Sequence, residues 1–350
     1  MFDTSIRYGI IGCVGIGTTH GKAVQDAEGV DLVAAADTIE ANAREFADNY
    51  DCEWYTDHVE MIEDANLDAV SICTPSGTHS DIAVSAAKAG ANILCEKPLD
   101  VYLDRINSMI ETAEEVGVTL AGVYQRRTYS EHQRAKKAVE NGKLGQMVLG
   151  DAMVKWHRTQ GYYDSGNWRG TRKMDGGCLM NQAIHLIDLL QWLMGDVESV
   201  YAMMDTTVHE MDMEDVATVA LQFENGAYGA IEATTSVRGG KDSLELNGTA
   251  GSYNSGEFDL HEGEIDFEPE EREWGVGHTR IVQDFVDSLR EGSEPMIPAR
   301  EARKAIEVIL AAYASANLNR EVRINELYEI HRETRIDELD ATVNHSEFKQ

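Results

Sequence analysis

Hydrophobic positions in the first third of the chain follow two alternating patterns. Short β-branched and apolar runs alternate with longer segments whose apolar residues recur at helical spacing, which is typical of β-α-β units that build a parallel sheet. The predicted strands are Tyr8–Gly12, Asp31–Ala36, Ala69–Cys73, Asn92–Cys95 and Thr119–Val123. The predicted helices are Thr18–Ala27, Ala41–Asn49, Ser80–Ala89 and Leu103–Val116. We therefore predict an α/β Rossmann domain with a doubly wound parallel sheet over residues 1–125.

The pattern changes after about residue 125. Two helices are predicted at Ser130–Asn141 and Gln182–Met194, followed by runs with period two that are separated by turn signals. Those runs are Val197–Met203, Ala217–Phe223, Tyr228–Thr235 and Leu244–Gly248. Alternation of this kind predicts strands with one buried and one solvated face. We expect an α+β domain with a large, open, mainly antiparallel sheet over residues 126–328, and a charged tail over residues 329–350.

The net charge of the chain disfavours two classes of binding partner. The chain carries 62 acidic and 30 basic residues, a formal net charge of −32, and the acidic residues are spread along its whole length. Nucleic acid and anionic membranes would repel such a chain, so we expect neither as a partner. An even spread of acidic residues indicates adaptation to molar salt, where the Debye length is about 3 Å and self-repulsion is screened. This spread of charge leads us to expect a protein from a halophile. Since the sequence has no membrane-length apolar run and no signal-peptide pattern, we also expect it to be cytoplasmic.

The five cysteines give no sign of a metal site or of a disulfide framework. They are scattered, without a Cys-x-x-Cys pair or histidines at zinc spacing. Cys13, Cys73 and Cys95 lie in or beside predicted strands, where a thiol behaves as a small apolar side chain. We predict that the protein holds no metal.

Glycines follow the first predicted strand in the run Gly12-Cys13-Val14-Gly15-Ile16-Gly17, and Asp37 ends the second strand. Such glycines permit a tight turn and a close approach of backbone amides to a pyrophosphate at the helix N-terminus. A carboxylate at the end of the second strand accepts hydrogen bonds from ribose hydroxyls and repels a 2′-phosphate. We therefore predict a dinucleotide site that favours NAD, with NADP as the alternative. Val14 stands where the usual G-x-G-x-x-G pattern has glycine, and its side chain is expected to crowd the pyrophosphate.

Two further clusters carry candidate chemistry. Glu96-Lys97-Pro98 follows a buried strand at its carboxyl end, where ligands bind in open α/β sheets. Lys97 is there either a surface charge or an ammonium beside a reacting hydroxyl, and the Lys97–Pro98 bond is a candidate for the cis form. Asn181, His185 and Asp188 recur at helical spacing and are expected on one face of an apolar helix, after Gly176-Gly177. Either His185 is a core histidine with polar partners, or the polar stripe is functional.

These motifs, together with Trp168-Arg169-Gly170, resemble the Gfo/Idh/MocA family, named after glucose-fructose oxidoreductase, inositol dehydrogenase and rhizopine catabolism. The resemblance covers about residues 5–325. It implies a Rossmann domain followed by an open-sheet domain that forms homodimers or homotetramers. The residues that it implies for the cofactor are Gly12, Val14, Gly15, Ile16, Gly17, Asp37, Thr74, Pro75, His79, Glu96, Lys97, Trp168 and Arg169. It also implies that Lys97 and His185 are catalytic and contact the substrate. Asn181 departs from the family pattern, but an asparagine can orient His185 and bond a substrate hydroxyl, so we expect it in the catalytic set too. We expect further substrate contacts from Tyr163 and His278.

Three functions are compatible with these residues. The first is oxidation of a free sugar or cyclitol, in which His185 takes the hydroxyl proton and Lys97 stabilises the alkoxide. The second is the activity of a nucleotide-sugar 3-dehydrogenase. Asn181 favours it over the first function, because most sugar and inositol dehydrogenases of the family carry Asp at this position. Four segments together are similar to those of members that oxidise C3 of UDP-N-acetylglucosaminuronate: residues 155–158, 162–163, 168–171 and 179–182. The third is a regulatory protein that binds NAD(P) without turnover.

Overall fold

The computed structural model describes residues 5–263, 265 and 275–334, the last four of these by their backbone alone. The chain divides into two compact units. Of the described residues, the first unit comprises 5–128 and 275–303, and the second unit comprises 129–263, 265 and 304–334. Within the described residues, no helix has the length and apolar character that a bilayer crossing requires.

The first unit is built on a parallel sheet of six strands in the order β3-β2-β1-β4-β5-β6. The strands are β1 (Ile6–Ile11), β2 (Val30–Ala36), β3 (Glu53–Tyr55), β4 (Ala69–Ile72), β5 (Asn92–Cys95) and β6 (Leu120–Gly122). The helices that connect them are α1 (Ile16–Asp26), α2 (Glu40–Tyr50), α3 (His58–Asp64), α4 (His79–Lys88) and α5 (Leu103–Val116). All four residues of β4 are buried, as expected for a parallel sheet that helices cover on both faces. This is the strand order of a Rossmann fold.

The second unit contains a sheet of eight strands in the order β13-β12-β11-β7-β10-β9-β8-β14. These strands are β7 (Met147–Lys155), β8 (Val197–Asp205), β9 (Val216–Phe223), β10 (Tyr228–Thr234), β11 (Asp242–Gly248), β12 (Gly251–Asn254), β13 (Glu257–Leu260) and β14 (Val322–Arg323). Neighbouring strands are antiparallel except for the parallel pair of β7 with β10. Burial alternates along β8, where Tyr201 and Met203 are exposed and their neighbours are buried. The sheet therefore has one covered and one open face.

The remaining helices complete the two units. They are α6 (Ser130–Glu140), α7 (Gln160–Tyr163), α8 (Ile184–Met194), α9 (Val276–Glu291), α10 (Ala299–Leu318) and α11 (Leu327–Thr334). Helix α8 packs against β7 on the covered face of the second sheet, and α9 packs against α1 in the first unit. A π-helical segment, Cys178–Ala183, runs directly into α8. The boundary between the units falls within α10.

The predicted fold class is confirmed for both sheets, and α5 and β5 begin and end at the predicted residues. Several short elements were not predicted, namely β3, α3, α7, β12, β13, β14 and α11. Three larger features also differ from the predictions. Residues 275–303 group with the first unit, although they were predicted to belong to the second domain. The central strand β7 was not predicted. The helix predicted from Gln182 is π-helical in its first turn, and α8 itself begins at Ile184.

Candidate active site

Three glycines shape the loop between β1 and α1. Gly12 has a φ of 94°, and a Cβ there would lie 2.8 Å from the carbonyl oxygen of Cys73. Gly17 lies so close to the carbonyl of Gly12 that any side chain would overlap it. Gly15 has a φ of 59° and open space beside it, at the position that begins α1. The loop thus has the tight turn and the close strand–helix packing of a dinucleotide site. Val14 is 56% exposed.

The carboxylate of Asp37 fastens this loop to the end of β2. Its Oδ2 accepts the N–H of Cys13 at 3.0 Å, and its Oδ1 accepts the N–H of Ile39 at 2.9 Å. Asp37 is half-buried, so part of the carboxylate faces solvent beside the glycine loop. This is the position from which an acidic residue bonds ribose hydroxyls in Rossmann domains.

His79 joins the loops that follow β4 and β5. Nδ1 lies 2.8 Å from the carbonyl oxygen of Pro98, and Nε2 lies 2.8 Å from the carbonyl oxygen of Thr74. The side chain is buried and both ring nitrogens are engaged by the protein. His79 therefore positions the loop with Thr74 and Pro75, which are half-buried themselves, and holds it against the Lys97–Pro98 turn, whose peptide bond is cis.

Glu96 lies in a buried polar network of the first unit. Its Oε1 is 3.0 Å from Nε2 of His20 and 3.5 Å from Nε2 of His278, and its Oε2 accepts the backbone N–H of Lys97 at 3.0 Å. Nδ1 of His20 contacts Oγ of Ser71 at 2.8 Å. Burial alone would raise the pKa of Glu96, but hydrogen bonds and charge from the two histidines outweigh it and hold this pKa well below its usual range. The network therefore anchors a carboxylate directly behind Lys97.

No metal was predicted from the sequence; in the structure, His20, Glu96 and His278 bring three ligand-type atoms within 4.8 Å of one another. His278 was predicted to contact substrate; the structure buries this residue beside Glu96 and His20 in the first unit. The contact between His278 on α9 and Glu96 could not be predicted from a local motif, because the two residues are far apart in the sequence.

In the second unit, the π-helical segment and the start of α8 carry Asn181 and His185. Both side chains are half-buried, whereas Asp188 is only 1% exposed. Asn181 and His185 are therefore accessible in part, whereas Asp188 lies in the core of the unit. A π-helical turn is wider than an α-helical turn, and such turns are frequent at functional sites.

Asn181 is held by a chain of side-chain hydrogen bonds. Its amide nitrogen donates to Oδ1 of Asp175, whose Oδ2 accepts the N–H of Gly170 at 2.6 Å. Gln182 donates to Oδ1 of Asn181, and also to the hydroxyl of Tyr162 at 3.1 Å. These hydrogen bonds fix the orientation of the Asn181 amide. A carboxylate only accepts hydrogen bonds, so the amide nitrogen must face Asp175.

Two arginines and three aromatic rings form a cluster next to this chain. Arg158 lies 5.5 Å from the Trp156 ring and 5.0 Å from the Tyr162 ring, and it donates to Gln182 at 2.8 Å. Arg169 lies 4.4 Å from the rings of Tyr162 and Trp168. All five side chains are half-buried. The cluster, Trp156-Arg158-Tyr162-Trp168-Arg169, offers guanidinium donors and flat apolar surface in a strongly acidic chain.

Tyr163 was expected to contact substrate. Its side chain is buried, its hydroxyl bonds Oγ1 of Thr235 at 2.8 Å, and burial raises the pKa of this phenol. Tyr163 therefore supports the site from within the unit.

Glu214, which no sequence pattern indicated, is fully buried against Gly177 at the start of the π-helical segment. Glu214 precedes a predicted strand in an acidic stretch, where an exposed carboxylate is the ordinary expectation.

Comparison with known proteins matches both units. Residues 6–124 match the family model "Oxidoreductase family, NAD-binding Rossmann fold", and residues 132–254 match the model "GFO/IDH/MocA C-terminal domain". The chain is 28% identical to myo-inositol 2-dehydrogenase of Thermotoga maritima, with 92% of this chain and 99% of the relative covered. It is 27% identical to scyllo-inositol 2-dehydrogenase (NAD(+)) of Bacillus subtilis, with 89% of this chain and 94% of the relative covered.

A solved structure is similar over nearly its whole length. The WlbA dehydrogenase of Bordetella pertussis, in complex with NADH and UDP-GlcNAcA, superposes with a TM-score of 0.83 at 30% identity. The superposition covers 91% of this chain and 98% of that one.

Proposed function

Because the chain belongs to the Gfo/Idh/MocA family and has an NAD-binding Rossmann domain, we propose that it is an NAD-dependent dehydrogenase that acts on a hydroxyl-bearing carbon of a sugar or cyclitol. Relatives named as inositol dehydrogenases support this substrate class. The half-buried Asp37 carboxylate supports NAD over NADP, since it would repel a 2′-phosphate.

The observation that carries the proposal is the placement of Lys97 on the edge of the first sheet that holds the glycine loop. Strands β1, β4 and β5 are adjacent and parallel, so their carboxyl ends share one edge. The glycine loop follows β1, Thr74 follows β4, and Lys97 follows β5. Ligands in open α/β sheets bind at this edge, and Glu96 anchors the backbone N–H of Lys97 there.

In the proposed reaction, a bound nicotinamide supplies the acceptor for the hydride. His185 takes the proton of the substrate hydroxyl as general base, since an imidazole has a suitable pKa for this role near neutral pH. The Lys97 ammonium stabilises the negative charge that develops on the oxygen. Asn181, with its amide oriented by Asp175, accepts or donates a hydrogen bond at the substrate without holding a proton.

The test is a panel of free sugars, inositols and nucleotide sugars with NAD, followed by the absorbance of reduced nicotinamide in molar KCl. We expect turnover of at least one neutral polyol, and a loss of about 10² to 10⁴ in rate for His185→Asn and Lys97→Met. Lys143→Met is the matched control, because Lys143 is exposed. A protein that binds NADH but turns over no member of the panel would instead support the regulatory function.

A second candidate is a nucleotide-sugar 3-dehydrogenase, and the Trp156-Arg158-Tyr162-Trp168-Arg169 cluster favours it. Guanidinium groups that stack on aromatic rings suit carboxylates, phosphates and bases, and the WlbA relative is in complex with UDP-GlcNAcA. On this function, Arg169→Lys and Arg158→Lys raise KM for acidic nucleotide sugars at least about tenfold while KM for inositols stays unchanged. Equal effects on both substrate types would remove the support for this candidate.

A further inference from the structure

Glu214 is buried in contact with the segment that carries the candidate catalytic residues. Its side chain has no exposed surface, and its Oε1 accepts the N–H of Leu179 at 2.9 Å and the hydroxyl of Tyr313 at 3.2 Å. Its backbone carbonyl accepts the N–H of Cys178 at 2.9 Å. Glu214 thus satisfies the first two N–H groups of the π-helical segment, which a helix start leaves without intrahelical partners.

The absence of a side chain at Gly177 leaves the space that the carboxyl group of Glu214 occupies. A Cβ at Gly177 would overlap both carboxyl oxygens of Glu214. The second glycine of the Gly176-Gly177 pair is therefore required by a buried side chain, in addition to any need of a ligand. Tyr313 completes the contact, since its hydroxyl also accepts the N–H of Gly177 at 3.4 Å.

The environment of the other carboxyl oxygen, Oε2, does not stabilise a negative charge. Among the described residues, none forms a hydrogen bond with Oε2 of Glu214. A buried carboxylate oxygen without a donor is costly, whereas the neutral acid is tolerated far better. The titratable groups that face Glu214 are Tyr313 on α10, Cys178 on the π-helical segment and Asp215 beside it in the chain, and all three are neutral or negative.

We propose that Glu214 is a positioning residue of the dehydrogenase reaction: its neutral carboxyl holds the π-helical segment in place, and loss of its proton loosens that segment and lowers turnover. The role in turnover rests on the proposed function. Ionisation would require water at Oε2, and the contact with Gly177 leaves no room for it unless the Gly176-Gly177 loop moves. That movement would displace Asn181 and His185, and small displacements of catalytic groups are costly in rate.

The pKa of Glu214 places this change near neutrality. Burial raises the pKa from 4.5 to about 7, although hydrogen bonds from the backbone N–H groups of Leu179 and of Glu214 itself, and from the Tyr313 hydroxyl, lower it in part. The carboxyl therefore changes its protonation state in the range where the enzyme is expected to work.

The test combines pH profiles with hydrogen exchange. Glu214→Gln keeps the Oε1-type acceptor and cannot ionise, and Glu210→Gln is the matched control because Glu210 is exposed on the same stretch. We expect kcat of the wild type and of Glu210→Gln to fall at least about tenfold on the alkaline side of neutrality. We expect Glu214→Gln to keep its activity there. The same alkaline fall in Glu214→Gln would overturn the proposal.

Hydrogen exchange of the peptide over residues 177–187 needs neither turnover nor a variant. After correction for the intrinsic exchange rate, protection in the wild type should decrease as pH rises through the pKa of Glu214. Constant protection would overturn the proposal. If no substrate is turned over but protection changes as expected, the proposed function fails and the link between Glu214 and the segment stands.

Discussion

Asn181 donates its side-chain amide to the carboxylate of Asp175, at the position where the family resemblance leads one to expect an aspartate. Asp175 is 1% exposed and also accepts the N–H of Gly170. An aspartate at position 181 would therefore set two carboxylates against each other. The hydrogen bond to Asp175 therefore accounts for asparagine at position 181, independently of which substrate the protein binds.

The first prediction follows from this pair. Asn181→Asp should remove one hydrogen bond and force one carboxyl of the pair to keep a proton, at a cost of about 1–3 kcal/mol in stability. The double variant Asp175→Asn/Asn181→Asp restores a donor–acceptor pair with the direction reversed, and it should regain most of the loss. Melting temperature and kcat/KM measure both effects. A double variant no better than the single one would show that the pair is not the cause.

The second prediction concerns the cofactor. Asp37→Ala removes the acceptor for two backbone N–H groups and the proposed ribose contact, so NADH affinity should fall about ten- to a hundredfold. Fluorescence titration with NADH and NADPH gives the dissociation constants. Asp31→Ala is the control, because Asp31 is exposed on the same strand β2. Tighter binding of NADPH than of NADH by the wild type would contradict the NAD assignment.

The third prediction concerns acid stability. Burial alone would raise the pKa of Asp215, but N–H groups of Thr207, His209 and Val208 outweigh it, and the net shift is downward from 3.8. A depressed carboxyl pKa contributes stability that is complete above the ordinary value and is lost as pH falls from there through the folded value. Thermal melts at decreasing pH should therefore show a smaller acid-induced loss for Asp215→Asn than for the wild type. Exposed Asp212 gives the control variant Asp212→Asn, which should follow the wild type.

The fourth prediction concerns salt. With a net charge of −32, self-repulsion should destabilise the fold in dilute buffer and be screened in molar KCl, where the Debye length is about 3 Å. The melting temperature should rise steadily with KCl. A melting temperature indifferent to KCl would contradict the proposed adaptation to high salt.

Local periodicity was enough to predict most of the fold. β5 and α5 were predicted to the residue, because an apolar run after Asn92 marks the strand and a clear helical repeat marks the helix. β7 was missed because Gly150 and Asp151 interrupt its pattern. A Cβ at Gly150 would lie 2.9 Å from side-chain atoms of Leu190 and Met194 on α8, so the helix above the sheet determines this glycine. Such a constraint is absent from the local sequence.

The candidate site was predictable where short motifs mark it and not where distant residues meet. Glycine spacing and the acid after β2 led to Gly12 and Asp37, which the structure joins through the N–H of Cys13. In contrast, the partners His20 and His278 of Glu96 lie far from it in sequence. The burial of Glu214 against Gly177 depends on a tertiary contact that has no sequence motif.

The most direct measurement of the central claim is a double-mutant cycle on Lys97 and His185, read as kcat/KM for the best substrate of the panel. If the ammonium stabilises the charge that the imidazole creates by removing the proton, the two losses are not independent. The account predicts that Lys97→Met and His185→Asn each lose about 10² to 10⁴, and that the double variant lies within about threefold of the worse single one. Losses that multiply, or a single variant with undiminished turnover, would contradict it.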